Sequence, residues 1–289
     1  MDGQGRGDRR AEGGRLMSVI ALVSGKSSGV TCSALALALS SPKPSLLVEA
    51  DPAGGTIRAG YLGGEGSAAT GLHRLAAADR QGTLAREFNQ HFVSLDRDNT
   101  GQRLLLPGLT DPTQAASLSR TWEPISRLLN VMDQTGHDVI IDAGRILTES
   151  ETRLSTTRYP TPLLHRADAV LMVVRTTQAS ITAAAPAMRV LREELAHHGT
   201  GADALGLLLI EEGSFNSSQV QQHLQAPVVG MLAWDPDSAD VFTHGAYKKL
   251  PRTLLRSART AHQTINELVT RRRVQLLPAA VPTVAGRAS

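Results

Sequence analysis

Short apolar runs alternate with longer helix-patterned stretches along nearly the whole of this chain, and that alternation limits its possible folds more than any other feature. The apolar runs fall at 18–23, 45–50, 103–106, 138–141, 169–174, 205–210 and 227–232. Several are apolar throughout, the pattern of strands buried on both faces. Between them lie helix-patterned stretches at 30–40, 114–134, 179–197, 217–224 and 251–272. Strand followed by helix, repeated from residue 17 to residue 273, predicts one α/β domain, a doubly wound and mainly parallel sheet flanked by helices. The 289 residues suit one such domain with a well-buried core. Residues 1–16, dominated by Gly, Arg and Asp, read as a disordered leader. Residues 274–289, rich in Pro, Ala and Val, read as a disordered tail.

Composition removes several classes of function. Cys32 is the only cysteine, which rules out a disulfide framework and any cysteine-ligated metal site within one chain. No apolar run reaches the roughly 18 to 20 residues that span a bilayer, and the first residues lack the apolar centre of a signal peptide, so a cytoplasmic location is expected. Aromatics make up 3% of the chain, too few to expect base stacking as a mode of action. The formal charge of +3 permits a nucleic-acid or anionic-membrane partner without arguing for one. His197-His198 has no third ligand nearby, and no G-x-S-x-G elbow follows a predicted strand.

The first predicted strand runs into Ser24-Gly25-Lys26-Ser27-Ser28-Gly29-Val30-Thr31 and then directly into an Ala/Leu-rich helix that begins near Cys32. A strand, a tight turn of small residues and a helix start together form an anion site, because backbone N–H groups and the positive end of the helix dipole point at one place. Against the phosphate-loop template G-x-x-x-x-G-K-[ST], Gly29 and Thr31 fit, Ser24 replaces the first Gly, and Val30 stands where the phosphate-binding Lys belongs. Taken alone, the segment also reads as a plain Ser/Gly turn.

Two further strands end in carboxylates. Glu49-Ala50-Asp51-Pro52 closes the second, and Asp138-Val139-Ile140-Ile141-Asp142-Ala143-Gly144 forms another that ends Asp, then Gly. Carboxylates at the carboxyl ends of strands lie where open α/β sheets bind ligands. An Asp-Pro turn after a strand is by itself often only a turn. The order of phosphate loop, then Asp51, then Asp142, each closing a predicted strand, gives these matches their weight.

Together the segments resemble the MinD/ParA family of nucleotide-dependent switch proteins, which carry a deviant Walker A loop, and the resemblance spans residues 17–270. It implies a P-loop NTPase fold with ATP or ADP and Mg²⁺ as cofactors. The cofactor-binding residues would be Gly25, Lys26, Ser27, Ser28, Gly29, Val30, Thr31 and Cys32, with Asp235 and Pro236 beside the adenine. Thr31, Asp51 and Asp142 would serve the metal, the last two through water, while Asp51 and Lys26 would be the catalytic pair. The family's loop is similar to K-G-G-x-G-K-T, and its first lysine falls here at Gly25, with Lys26 one residue late. These departures resemble the CpaE/TadZ branch, whose members help to localise pilus machinery. With both lysine positions altered, weak or absent hydrolysis is expected.

The resemblance further implies a nucleotide-dependent homodimer and a protein partner in a localisation, secretion or pilus-assembly system. It leaves open a chromosome-partitioning protein that binds DNA, and a scaffold of the same fold that binds no nucleotide. The helix at 251–272 carries Leu254, Leu255, Ala258, Ala261, Ile265, Leu268 and Val269 at helical spacing. Its stripe lacks the Phe and Trp anchors of interfacial helices, so packing on the sheet is expected rather than peripheral membrane contact.

Overall fold

The computed structural model describes residues 18–64, 69–96, 98–245 and 252–276. In chain order the elements are β1 (Val19–Ser24), α1 (Val30–Ser40), β2 (Ser45–Glu49), α2 (Leu72–Arg80), α3 (Leu84–Glu87), β3 (Val93–Ser94), β4 (Arg103–Leu106), α4 (Trp122–Gln134), β5 (Asp138–Arg145), α5 (Thr161–His165), β6 (Ala169–Arg175), α6 (Gln178–His198), β7 (Leu205–Glu211), α7 (Ser217–Leu224), β8 (Val228–Ala233), α8 (Pro236–His244) and α9 (Arg252–Leu276).

The strands form one sheet in the order β3-β4-β2-β5-β1-β6-β7-β8. Every neighbouring pair is parallel except β3 with β4. Side chains alternate across the sheet, and both faces are apolar. Val19, Ala21 and Val23 of β1 face a core shared with α2, α4, α6 and α7, whereas Ile20 and Leu22 face one shared with α1, α8 and α9. From β1 the chain passes through α1 to β2 on one side, while β6, β7 and β8 extend on the other. The strand order therefore reverses at β1, and the crevice at its carboxyl end is where such sheets take ligands.

All seven expected strands are present with ends displaced by at most four residues, β5 running on to Arg145. The helix expected at 114–134 is two pieces, a 3-10 turn at Pro112–Leu118 and α4 from Trp122. The break lies at Thr121, whose buried hydroxyl donates to Asp79 Oδ2 at 2.9 Å and ties the junction to α2. The last expected helix is α9, which continues to Leu276, and its Leu254, Ala258, Ala261, Ile265 and Val269 are buried against α1 and β8. The leader at 1–16 and residues 277–289 of the tail lie outside the described residues. Among the described residues, no helix is long and apolar enough to cross a membrane.

Candidate functional site

Residues 25–29 leave β1 and deliver the chain to α1. Gly29 has φ +93°, a left-handed conformation that suits glycine, and a Cβ there would stand 3.3 Å from Ile210 Cδ1. No side chain caps α1. Among the described residues, the amides of Lys26 to Thr31 have no carbonyl or side-chain acceptor outside α1 itself. A row of unspent donors at the start of an 11-residue helix matches an anion. Ser28 is buried; its hydroxyl donates to the Lys26 carbonyl at 2.8 Å and lies 3.4 Å from Ser180 Oγ on α6.

The two lysine positions have different structural fates. Gly25 lies against α6, and a Cβ there would be 2.5 Å from the Ala183 carbonyl oxygen and 3.1 Å from Ala184 Cα. No side chain fits at Gly25 without moving backbone. Val30 turns into the apolar core beneath α1 and is 5% exposed. Lys26 is exposed. Gly25 opens instead onto a groove of about 780 Å³ lined also by Arg145, Thr148, Pro186, Arg189 and Arg192. That groove runs along α6 and includes neither Asp51 nor Asp142.

The carboxylates do converge. β2 and β5 pair with Glu49 opposite Asp142, so both carboxylates enter the crevice on the side that α1 occupies. Glu49 is fully engaged: Oε1 accepts from the amides of Thr56 and Ile57 at 2.6 and 2.9 Å, and Oε2 from that of Gly108 at 2.9 Å. It clips the segment after β2 to the segment after β4. Burial raises its pKa against the pull of those three amides. Asp51 lies two residues past β2 and accepts from the Ala53 amide at 2.8 Å. Its carboxyl rests on Gly144, where φ is +60° and any Cβ would collide with it. Burial also raises the Asp51 pKa.

Asp142 is fully buried. Its Oδ1 accepts from the Gly144 amide at 3.0 Å, and its Oδ2 has no hydrogen-bond partner. Burial pushes its pKa up to about 7, the nearby Thr31 hydroxyl opposing the rise and the charges of Asp51 and Glu49 adding to it. Tyr159 stands in the same acidic surroundings, wholly buried with an unpartnered hydroxyl. The Cys32 thiol sits between opposite influences; burial raises its pKa most, Asp142 adds to that, and Arg175 opposes it.

An orphaned, buried carboxylate oxygen beside a threonine hydroxyl at a helix start fits the water-mediated arrangement expected around Mg²⁺ on a phosphate loop. Among the described residues, no group of three or more His, Cys, Asp and Glu is close enough to hold a metal unaided. A metal here would therefore need oxygens supplied by its own phosphate ligand and by water.

Asp235 and Pro236 occupy a helix start rather than an open base-side loop. Asp235 caps α8, its Oδ1 accepting from the Ser238 amide at 3.1 Å, and Pro236 is the first helical residue. The Asp-Pro-x-Ser sequence is a readable helix-start signal. Sequence reasoning also gave no role to Arg175. This residue ends β6 and directs its guanidinium to the Ser28 carbonyl (Nε–O 3.4 Å), to Glu212 (Nη1–Oε2 3.1 Å) and over the Trp234 ring (5.1 Å to its centroid). A lone cation closing an apolar strand was the available signal.

The topology, the open helix start after β1 and the acidic ends of β2 and β5 match the MinD/ParA-like P-loop fold. Neither a family model nor a curated protein matches the sequence. Among solved structures, the chain is similar to the septum site-determining protein MinD complexed with Mg-ADP from Pyrococcus horikoshii, at 15% identity and TM-score 0.59, over 92% of this chain and 100% of that one. It is similar to a ParA family ATPase from Chlorobium tepidum at 13% identity and TM-score 0.56, over 90% and 98%. It is also similar to cobyrinic acid a,c-diamide synthase from Mycobacterium smegmatis with bound ATP analogue and magnesium, at 17% identity and TM-score 0.51, over 88% and 93%. The last of these carries a different chemistry on the same architecture, so the likeness defines the fold.

Proposed function

We propose that this chain is a MinD/ParA-like nucleotide switch that binds ATP or ADP with Mg²⁺ and acts in positioning or assembling a protein partner. The observation that carries this reading is the free, buried Oδ2 of Asp142 beside Thr31, at the head of a helix whose first amides are unspent. In this reading the amides of 26–31 hold the phosphates, the Thr31 hydroxyl and the water shell of Asp142 hold the metal, and Asp51 orients water at the terminal phosphate. Bound Mg²⁺ would supply neutralisation of phosphate charge. Hydrolysis is slow or absent, because Val30 is buried and Gly25 admits no side chain, so neither lysine position can place a cation on the transferring group. Binding can still drive a switch wherever a nucleotide prefers one of two states. A cytoplasmic, nucleotide-dependent homodimer serving pilus, secretion or partition machinery is the setting that the sequence resemblance suggests.

Calorimetry with Mg-ADP and Mg-ATP tests this. The wild type should bind, and Thr31→Ala or Asp142→Asn should weaken binding about tenfold or more when Mg²⁺ is present and little when it is absent. A wild type that neither binds nor gains thermal stability from either nucleotide sinks the proposal. The packing of Gly25 on Ala183 favours a second reading in that case, a scaffold that has kept the fold and given up the ligand.

A further inference from the structure

Three strands end in a row of side chains on one face of the sheet. Val173, Ile210 and Leu232 all belong to the core beneath α1. Arg175 shares the face of Val173, and its contacts with Glu212 and Trp234, the first residues past β7 and β8, gather all three at the carboxyl edge. There Arg175 stands between the end of the phosphate loop and the outer strands, with Nε 3.4 Å from the Ser28 carbonyl. Its side chain is one-third exposed, so it has room to turn.

A guanidinium in a crevice needs an anion, and Glu212 now serves as one at 3.1 Å, with the Trp234 ring beneath. The same crevice holds the unspent amides of 26–31 and the orphaned Asp142 Oδ2, and the two template lysine positions are Gly25 and Val30, which leaves the exposed Lys26 as the loop's own cation. We propose that Arg175 is the phosphate-binding cation of this site, released from Glu212 and Trp234 when a nucleoside di- or triphosphate enters. The inference rests on the nucleotide reading above and adds to the exposed Lys26 a cation held against the loop from β6. A phosphate carries more negative charge than a carboxylate and accepts the guanidinium fork equally well, so exchange of Glu212 for phosphate is favourable.

The test is calorimetry of Mg-ADP, inorganic pyrophosphate and adenosine on the wild type, Arg175→Ala, Arg175→Lys and Glu212→Gln, with folding checked by circular dichroism. Arg175→Ala should weaken Mg-ADP and pyrophosphate about 10- to 100-fold and leave adenosine unchanged. Arg175→Lys should restore part of the loss, and Glu212→Gln, which frees the guanidinium, should tighten Mg-ADP several-fold. Arg175→Ala binding Mg-ADP like the wild type, or losing adenosine equally, overturns the inference while leaving the nucleotide reading intact. If Arg175→Ala does not fold, Glu212→Gln decides, and unchanged or weaker binding overturns it. A wild type that binds no phosphate ligand overturns both.

Discussion

A carboxylate without access to water is costly to ionise, and Asp142 is wholly enclosed. Its folded pKa of about 7 stands above the ordinary 3.8, so between roughly pH 4 and 7 the folded protein holds a proton that the unfolded chain has released. The contribution of this group to stability is therefore full at low pH, falls as pH rises through that window, and is a constant penalty above it. Roughly three units at about 1.4 kcal/mol each put the penalty on the order of 4 kcal/mol. Asp142→Asn should remove that pH dependence and, in Mg²⁺-free buffer at pH 8, melt several degrees above the wild type; a melting curve with unchanged pH dependence would show that Asp142 is not the titrating group. Gly25→Lys, which restores the family's residue, should lower the melting temperature, because its Cβ meets the Ala183 carbonyl at 2.5 Å. An unchanged or higher melting temperature would mean that α6 yields readily. At this scale the sequence pointed to Asp51 and Asp142 through the predicted strands they close, and to Thr31 through the loop that opens α1. For Arg175 it offered only a lone cation closing an apolar strand, because the residue's contacts come from the alignment of β6, β7 and β8. Nor could it show that Glu49 is spent on three amides.

Among elements, α9 is fixed by polar contacts as much as by its apolar stripe. His262 is fully buried and its Nε2 lies 2.9 Å from Asp138 Oδ2, which also accepts from the Ser41 hydroxyl at 2.8 Å. Burial alone would raise the Asp138 pKa, yet the His262 hydrogen bond and charge, Ser41 and Lys43 together hold it below the usual value. Stability from this carboxylate is present above the unfolded pKa and is lost as pH falls through the lower folded one. Near its far end, Arg273 pairs with Asp133 at 3.0 Å and Asp168 at 2.5 Å, and Asp168 accepts from the Val19 amide that opens β1. Removing one partner of a buried pair strands the other, so His262→Ala should cost about 3 kcal/mol in urea denaturation at neutral pH. A loss below about 1 kcal/mol would mean that water or Lys43 satisfies Asp138. Long periodic elements were readable because one apolar stripe or run decides them, as in α1, α6 and α9. The helix α8 was missed because its start signal overlapped a motif read as a loop, and the two-residue β3 is set by pairing with β4 rather than by its own composition.

In the molecule as a whole, the candidate site draws on both halves of the sheet. β1, β2 and β5 lead to the phosphate loop and the carboxylates, while β6 and the residues just past β7 and β8 provide Arg175, Glu212 and Trp234. If the nucleotide reading holds, a ligand bridges the two halves, and Mg-ATP should change the sedimentation of the chain relative to Mg-ADP. Identical sedimentation in a protein that binds both would leave a nucleotide-stabilised fold without a switch. The covering of α1 by α9 also has a bearing on synthesis. The inner strand β1 and its helix are made early, but the apolar face of α1 is sealed only by the last helix described, more than 200 residues later. Until then the nascent chain exposes alanine and leucine surface to solvent or to a chaperone, and a chain halted before α9 is a substrate for proteolysis rather than a smaller working version of the protein.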